Sequence, residues 1–207
     1  MANRNRKLIV EETATELTEG KGDAYLFDCK IFREGKKNSF RLDVYRSGDT
    51  LSLFARGYLG KGVMKALINP DSTLIYFPTE NEHFSGTLDK LVTGKCAESL
   101  IFEDILLKLF MMTPPEINES YDGFYLKIIN QNSKQQDYQL NSTVCDESID
   151  LTYKLLKDRF IIDNIEYENE SGSFKFLAEN RKTRIGIDLP ANKFQLQIPS
   201  NSNKIGP

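Results

Sequence analysis

The chain has 207 residues, which is enough for one large domain or two small ones with a sizeable core. Its formal net charge is −3 and 28% of its residues are charged, so the composition shows no basic surface of the kind that binds nucleic acid. No stretch approaches the roughly 20 apolar residues of a membrane-spanning helix, and the N-terminus lacks the apolar segment of a signal peptide. These features indicate a globular domain.

The first part of the chain predicts a short helix followed by a meander of strands. Residues 7–19 place apolar side chains at helical spacing among acidic ones, which predicts an amphipathic helix. From residue 23 the apolar spacing changes to two. The segments 24–33, 39–46 and 50–56 alternate apolar and polar side chains and are separated by polar turns, which predicts antiparallel hairpins.

The glycine-rich segment GYLGKGV, residues 57–63, has two possible interpretations. A phosphate-binding loop of this kind continues from Gly-Lys to Ser or Thr and then into a helix. Here Lys61 is followed by Gly62 and by the short apolar run VMKALIN, which ends at Asn69-Pro70. The pattern therefore favours a bend between two strands, where glycine permits curvature or a bulge.

The segment SLIFEDILLKLFMM, residues 99–112, is apolar on nearly every side. Ser99 is a suitable N-cap, and Pro114-Pro115 ends the helix that this pattern predicts. A helix that is apolar all round is typical of one buried inside a protein.

The rest of the chain returns to alternating segments of strand length. These are TLIYFP and EHFSG before the apolar helix and GFYLKIIN, DYQLNSTV, SIDLTYKLL, FIIDNIEYE, SFKFLAEN, TRIGIDLP and KFQLQIP after it. Polar turns such as NQNSKQ, NESG and ENRK (residues 179–182) are predicted between them. The sequence thus predicts 11–13 strands and two or three helices in one α+β domain dominated by antiparallel sheet. The predicted parts are an N-terminal tail and helix over 1–19, a half-barrel over 20–200 and a flexible tail over 201–207.

Residues with catalytic chemistry are scarce. The single histidine, His83, lies in a short segment and is interpreted as a surface residue, and no nucleophile or zinc motif accompanies it. The acidic pair Asp146-Glu147 lies in a predicted turn and is interpreted as solvated. Cys29 alternates with core residues, whereas the pairing of the three cysteines is left open. We expect no enzyme activity, no cofactor and no metal.

An antiparallel sheet with this many strands must curl or close to limit its exposed edges. Its concave face is then apolar and needs to be filled, and the helix over 99–112 is the obvious candidate, with the helix over 7–19 as a second cover. Such a half-closed barrel either encloses a cavity for an apolar ligand or has a fully packed core. The residues alone leave these two alternatives equal.

The order of elements resembles the LolA/LolB-like family of lipoprotein carriers and lipoprotein-sorting domains. The resemblance is carried by residues 21–32 (KGDAYLFDCKIF), 40–86, 100–110 (LIFEDILLKLF) and 183–199 (TRIGIDLPANKFQLQIP). It implies an unclosed β-barrel with helices over its mouth and an apolar cavity for the acyl chains of lipoproteins. It also implies a periplasmic or outer-membrane-anchored protein of a double-membraned bacterium, whose export signal we expect to lie outside this sequence.

The resemblance also suggests residues for particular roles. Family members that insert lipoproteins carry an exposed leucine in an early turn, but the matching turn Arg46–Thr50 is polar here, which leaves Tyr58 and Leu59 as the possible membrane contact. In related carriers an early arginine holds the lid, a role that Arg41 or Arg56 could match.

The inward-facing positions give the predicted lining of the cavity. They are Phe40, Leu42, Val44, Leu51, Leu53, Leu74, Tyr76, Ile101, Ile105, Leu109 and Phe110. The predicted function is non-enzymatic binding of lipoprotein acyl chains or other lipid, for carriage or sorting in the cell envelope. The alternative is a ligand-free lipoprotein that serves as a structural or protein-interaction module of an envelope complex.

Overall fold

A computed structural model describes residues 21–87, 114, 124–143, 147–169 and 171–206. The predicted helices over 7–19 and 99–112 lie outside these residues. Within them, the only helices are two short 3-10 turns, Tyr58–Gly60 and Ala191–Phe194.

The described part of the chain contains twelve strands. Their bounds are β1 (Lys21–Arg33), β2 (Lys36–Ser47), β3 (Thr50–Arg56), β4 (Gly62–Ile68), β5 (Thr73–Phe77), β6 (Glu82–Gly86), β7 (Phe124–Gln131), β8 (Gln135–Ser142), β9 (Ser148–Leu156), β10 (Arg159–Glu168), β11 (Phe174–Asp188) and β12 (Asn203–Lys204). All of them belong to one sheet in the order β12-β6-β5-β4-β3-β2-β1-β11-β10-β9-β8-β7.

The sheet consists of two meanders joined at β1 and β11. Every neighbouring pair is antiparallel except β12 and β6, and the two edges, β12 and β7, do not pair with each other. The predicted large, mostly antiparallel and unclosed sheet is thus confirmed. Residues 179–182, which the sequence suggested as a turn, are part of β11, and this makes the β1–β11 ladder long. Arg181 of this segment contacts Asp28 of β1, with its Nε atom 2.8 Å from Oδ2.

One face of the sheet, here called the core face, carries the large apolar cluster. Cross-strand pairs such as Phe27 with Leu42 and Leu53 with Ala66 line up apolar side chains from strand to strand. The same alternation continues through the second meander, where Leu151 pairs with Tyr138 and both are buried. Period-two patterning, interrupted by bulges such as the one between Ile162 and Asn164, therefore places one continuous apolar surface on a single side of the sheet.

The opposite side, here called the outer face, is partly covered by residues 189–199, here called the strap. Leu189 and Phe194 are buried against Ala24 and Leu67 in a second, smaller apolar cluster. The Nζ atom of Lys193 lies 4.6 Å from the centroid of the Tyr45 ring. The predicted strand over KFQLQIP is not formed, because these apolar side chains pack down on the outer face instead of pairing with a neighbour.

The end of the chain differs from the flexible tail that the sequence predicted over 201–207. Asn203–Lys204 forms β12 beside β6, and the Ile205 amide donates a hydrogen bond of 2.8 Å to the His83 carbonyl oxygen. The Asn81 side chain also donates a hydrogen bond of 3.0 Å to the Asn201 carbonyl oxygen. Residues far apart in sequence supply these contacts, so local patterning could not indicate them.

The segment GYLGKGV forms the turn between β3 and β4. Leu59 and Gly60 adopt positive φ angles of 58° and 75°, and the Gly57 amide donates a hydrogen bond of 2.8 Å to the Lys61 carbonyl oxygen. A strand follows this turn, not a helix. The interpretation as a bend between two strands is therefore confirmed.

Candidate functional site

The core face is the candidate surface for an apolar ligand. Four of the predicted lining residues, Leu42, Val44, Leu51 and Leu53, lie on it and are buried in the large apolar cluster. Phe40 is half-buried and packs against the same cluster. Their role in binding stays a prediction, but the structure does bring these five side chains together on one face.

Leu74 and Tyr76 were predicted on the same face, and for these two residues the predicted inward orientation is wrong. Ile75 pairs with Ala66 and packs in the core cluster, whereas Leu74 pairs with Leu67 on the outer face. In the run TLIYF four hydrophobic residues are consecutive, so alternation alone could not assign its faces.

The other predicted residues are not described at the level of their side chains. Ile101, Ile105, Leu109 and Phe110 lie outside the described residues, and so does the side chain of Tyr58. Leu59 is 89% exposed at the tip of the β3–β4 turn.

The second meander also contributes to this surface, although none of the predicted lining residues comes from it. The core cluster includes buried side chains from β8 to β11: Tyr138, Leu140, Ile149, Leu151, Tyr153, Ile161, Ile162, Ile165 and Ala178. The alternation in SIDLTYKLL already indicated such a face, but the predicted lining residues came only from the first meander and the predicted helix.

Three polar groups interrupt the apolar surface. Burial raises the pKa of Tyr25, and the nearby charge of Asp23 raises it further. The pKa of Tyr167 is also raised by burial, and then by the charge of Glu147 and a hydrogen bond to it. Glu147 is only 9% exposed, so the prediction that it is solvated is wrong. Its neighbour Tyr167 belongs to β10, and the local sequence around Glu147 does not indicate this contact.

Some buried polar atoms of this face have no partner. The Thr73 hydroxyl oxygen and the Oε2 atom of Glu147 form no hydrogen bond with any of the described residues. An unpaired buried polar atom costs about 1–3 kcal/mol, and such atoms commonly mark the place of a water molecule or a ligand. The core face thus offers apolar area together with a few polar contact points.

A cavity of about 440 Å³ opens at another place, where β1, β2 and the β3–β4 turn meet. It is lined by Asp28, Cys29, Lys30, Ser39, Phe40, Arg41, Arg56, Gly57, Leu59 and Gly60. Phe40 is the only predicted lining residue of the acyl-chain site among them. The cavity is therefore distinct from the apolar centre of the core face.

Ion pairs organise the charges around this cavity. Arg41 Nε lies 3.5 Å from Asp28 Oδ1, while Arg181 contacts the other oxygen of the same carboxylate. Arg56 Nη2 lies 2.5 Å from Asp43 Oδ2. Both arginines proposed from the resemblance as a lid contact are thus paired with strand carboxylates on the outer face.

His83 has a structural partner. Its Nδ1 atom lies 2.8 Å from the Ser202 hydroxyl oxygen, which also donates a hydrogen bond of 2.8 Å to the Pro199 carbonyl oxygen. The contact fastens the end of the chain beside β6. Within the described ranges no group of three or more potential ligands could hold a metal ion, and no helix there is long and apolar enough to cross a membrane.

Comparisons with known proteins give structural likeness only. No protein-family model matches the sequence, and a comparison with curated proteins found no match. Among solved structures, a DUF1329 family protein from Desulfovibrio piger is similar with a TM-score of 0.52 and 11% identity, over 85% of this chain and 90% of that chain.

Two further similar structures come from the family suggested by the sequence. A LolA superfamily protein from Nitrosomonas europaea has a TM-score of 0.45 and 10% identity over 86% of this chain and 92% of its own. An outer membrane lipoprotein-sorting protein domain from Vibrio parahaemolyticus has a TM-score of 0.46 and 10% identity over 84% and 89%. Structures of the family that the sequence resembles are thus among the similar ones, while the likeness in fold rests on the Desulfovibrio structure, which has the highest of these three TM-scores.

Proposed function

We propose that this protein is a non-enzymatic carrier or sorting domain that binds the acyl chains of lipoproteins, or other lipid, in the cell envelope. The observation that carries the proposal is the core face: an unclosed sheet presents one continuous apolar surface across both meanders. Concave apolar surfaces with a few polar contacts are typical of sites for lipid-like ligands.

The predicted helix over 99–112 completes this proposal. In it Ile101, Ile105, Leu109 and Phe110 face the core-face residues, and the ligand lies between helix and sheet, with the helix over 7–19 as a further cover. An acyl chain that buries about 12–16 methylenes gains about 0.8 kcal/mol for each, which is ample for tight binding.

The proposal also includes the cellular location of the protein and its contact with a membrane or an envelope protein. The protein works in the periplasm or at the outer membrane of a double-membraned bacterium, as a single domain. Exposed Leu59, together with Tyr58, is the proposed contact with a membrane surface or an envelope protein. The role requires neither cofactor nor metal.

Substitution Leu109→Glu tests the proposal. On the proposed covering helix, this charge abolishes binding of a dansyl-labelled fatty acid while the urea-unfolding midpoint stays close to that of the wild type. The matched control is Ile129→Glu, at a side chain that is 53% exposed on β7, and it leaves binding unchanged.

The alternative function, a structural or interaction module without ligand, gives a different result. In a fully packed core Leu109→Glu unfolds the protein, because an unpaired buried charge is strongly destabilising. No fatty acid then binds to the wild type either.

A further inference from the structure

The cavity between β1, β2 and the β3–β4 turn, here called the rim pocket, is lined mainly by outer-face residues. Cross-strand pairing places Lys30 opposite Ser39, Asp28 opposite Arg41, and Arg41 opposite Arg56. The polar side chains of three neighbouring strands therefore lie next to one another on the outer face. The turn closes one side of the pocket with Gly57, Leu59 and Gly60.

Positive charge exceeds negative charge in the lining. Lys30, Arg41 and Arg56 line the rim pocket, and Asp28 is the only acidic residue in its described lining. The Asp28 carboxylate is already shared, because Arg181 as well as Arg41 contacts it. A cationic site on a chain with a net charge of −3 is a local feature of the fold and does not follow from composition.

One buried hydrogen-bond donor of this pocket has no acceptor. The buried Nε atom of Arg56 has no hydrogen-bond partner, and half-buried Lys30 forms no ion pair with any of the described residues. A guanidinium group only donates, so the partner that Arg56 Nε lacks must be an acceptor. Arg41 adds a third donor that can reorient, since its side chain is 67% exposed and its pair with Asp28 is long at 3.5 Å.

Two backbone amides of the turn are already used within the turn. The Gly60 amide donates to the Gly57 carbonyl oxygen and the Gly57 amide donates to the Lys61 carbonyl oxygen. The donors that we consider for an anion in the pocket are therefore the charged side chains. Leu59 and Phe40 lie beside those charges, so the same ligand can place an apolar group against them.

We propose that the rim pocket binds a phosphate-type oxyanion, with Lys30, Arg41 and Arg56 as its donors and Leu59 and Phe40 against the group attached to it. Charge-assisted and bidentate hydrogen bonds from guanidinium groups suit this chemistry. The oxyanion is either the headgroup of a phospholipid or a free phosphate. Cys29 and Phe40 of the core face also line the pocket, so it borders that face at its edge, but the inference does not depend on the proposed function.

Isothermal titration calorimetry of the full chain tests this inference with three probes: inorganic phosphate, dihexanoyl phosphatidic acid and dihexanoyl phosphatidylcholine. We expect phosphatidic acid or phosphate to bind, and Lys30→Gln/Arg41→Gln to weaken that binding by about tenfold or more. The control Lys65→Gln lies on the same face outside the pocket, beside Phe54, and leaves the affinity unchanged.

The relative affinities of the probes distinguish a lipid headgroup from a free phosphate as the source of the anion. Phosphatidic acid that binds more tightly than phosphate assigns a lipid headgroup, whereas equal affinities assign the free anion, and both support the pocket. If neither phosphate nor phosphatidic acid binds, or if Lys65→Gln loses as much affinity as the double variant, the inference is overturned. Because both substituted side chains lie on the outer face and are not buried, the urea-unfolding midpoint of the double variant stays close to that of the wild type and reports correct folding.

Discussion

Gly22, near the start of β1, lies against both β2 and the strap. A methyl group on Gly22 would lie 2.3 Å from the Arg46 carbonyl oxygen and 2.4 Å from Leu189 Cδ1. Leu189 belongs to the strap and can move, but the Arg46 carbonyl is part of the β1–β2 ladder, where Arg46 pairs with Asp23. Gly22→Ala therefore forces either the strap or the ladder to shift.

The expected effect of Gly22→Ala can be worked out from this geometry. Overpacking by one methyl group costs about 1–3 kcal/mol. In a chain of 207 residues each kcal/mol lowers Tm by about 2–4 °C, so we expect a decrease of roughly 2–12 °C in differential scanning calorimetry. In the control Gly57→Ala the nearest atom is Val63 Cγ1 at 3.2 Å, and the decrease is smaller. A Gly22→Ala variant as stable as the wild type would refute the close packing of the strap.

Three further predictions concern single side chains of the core face. Phe27 is fully buried, so Phe27→Ala lowers the free energy of unfolding by about 3–5 kcal/mol in urea titrations, and a loss below about 1 kcal/mol contradicts the packing. Burial raises the pKa of Cys29 to about 12, so in a Cys96→Ser/Cys145→Ser background a thiol reagent labels it only after unfolding. Labelling in native buffer counts against a buried thiol. The pKa of Tyr25 is raised above its ordinary 10.0, so the folded state keeps the proton that the unfolded state loses. The contribution of Tyr25 to stability is present below about pH 10 and is lost at higher pH. There the free energy of unfolding falls by up to about 1.4 kcal/mol per pH unit, and Tyr25→Phe removes this slope. An unchanged slope in that variant shows that other groups cause the alkaline loss.

The alternation of the sequence predicted most of the sheet. Strands β1 to β6 follow the predicted segments closely, because each carries a clear period-two pattern bounded by polar turns. Residues 179–182 were different: charged side chains there suggested a turn, although Arg181 and Glu179 lie within β11, and Arg181 bonds to Asp28 on β1. A charged outer face and a polar turn have the same local composition.

The candidate site was harder to predict, because it depends on contacts between distant segments. Glu147 was taken for a solvated turn residue, whereas Tyr167 of β10 lies beside it and it is buried. The consecutive apolar residues of TLIYF left the face of Leu74 undetermined until the register with β4 was known. The rim pocket, too, arises only when the register places Lys30, Arg41 and Arg56 together.

Native mass spectrometry of the purified chain, followed by organic extraction and lipid analysis, tests the central claim most directly. The proposed function predicts a co-purified acyl species at about one per chain, or a corresponding mass shift after incubation with a lipopeptide or a fatty acid. A ligand-free mass that stays unchanged after both incubations would contradict it and would favour an interaction module.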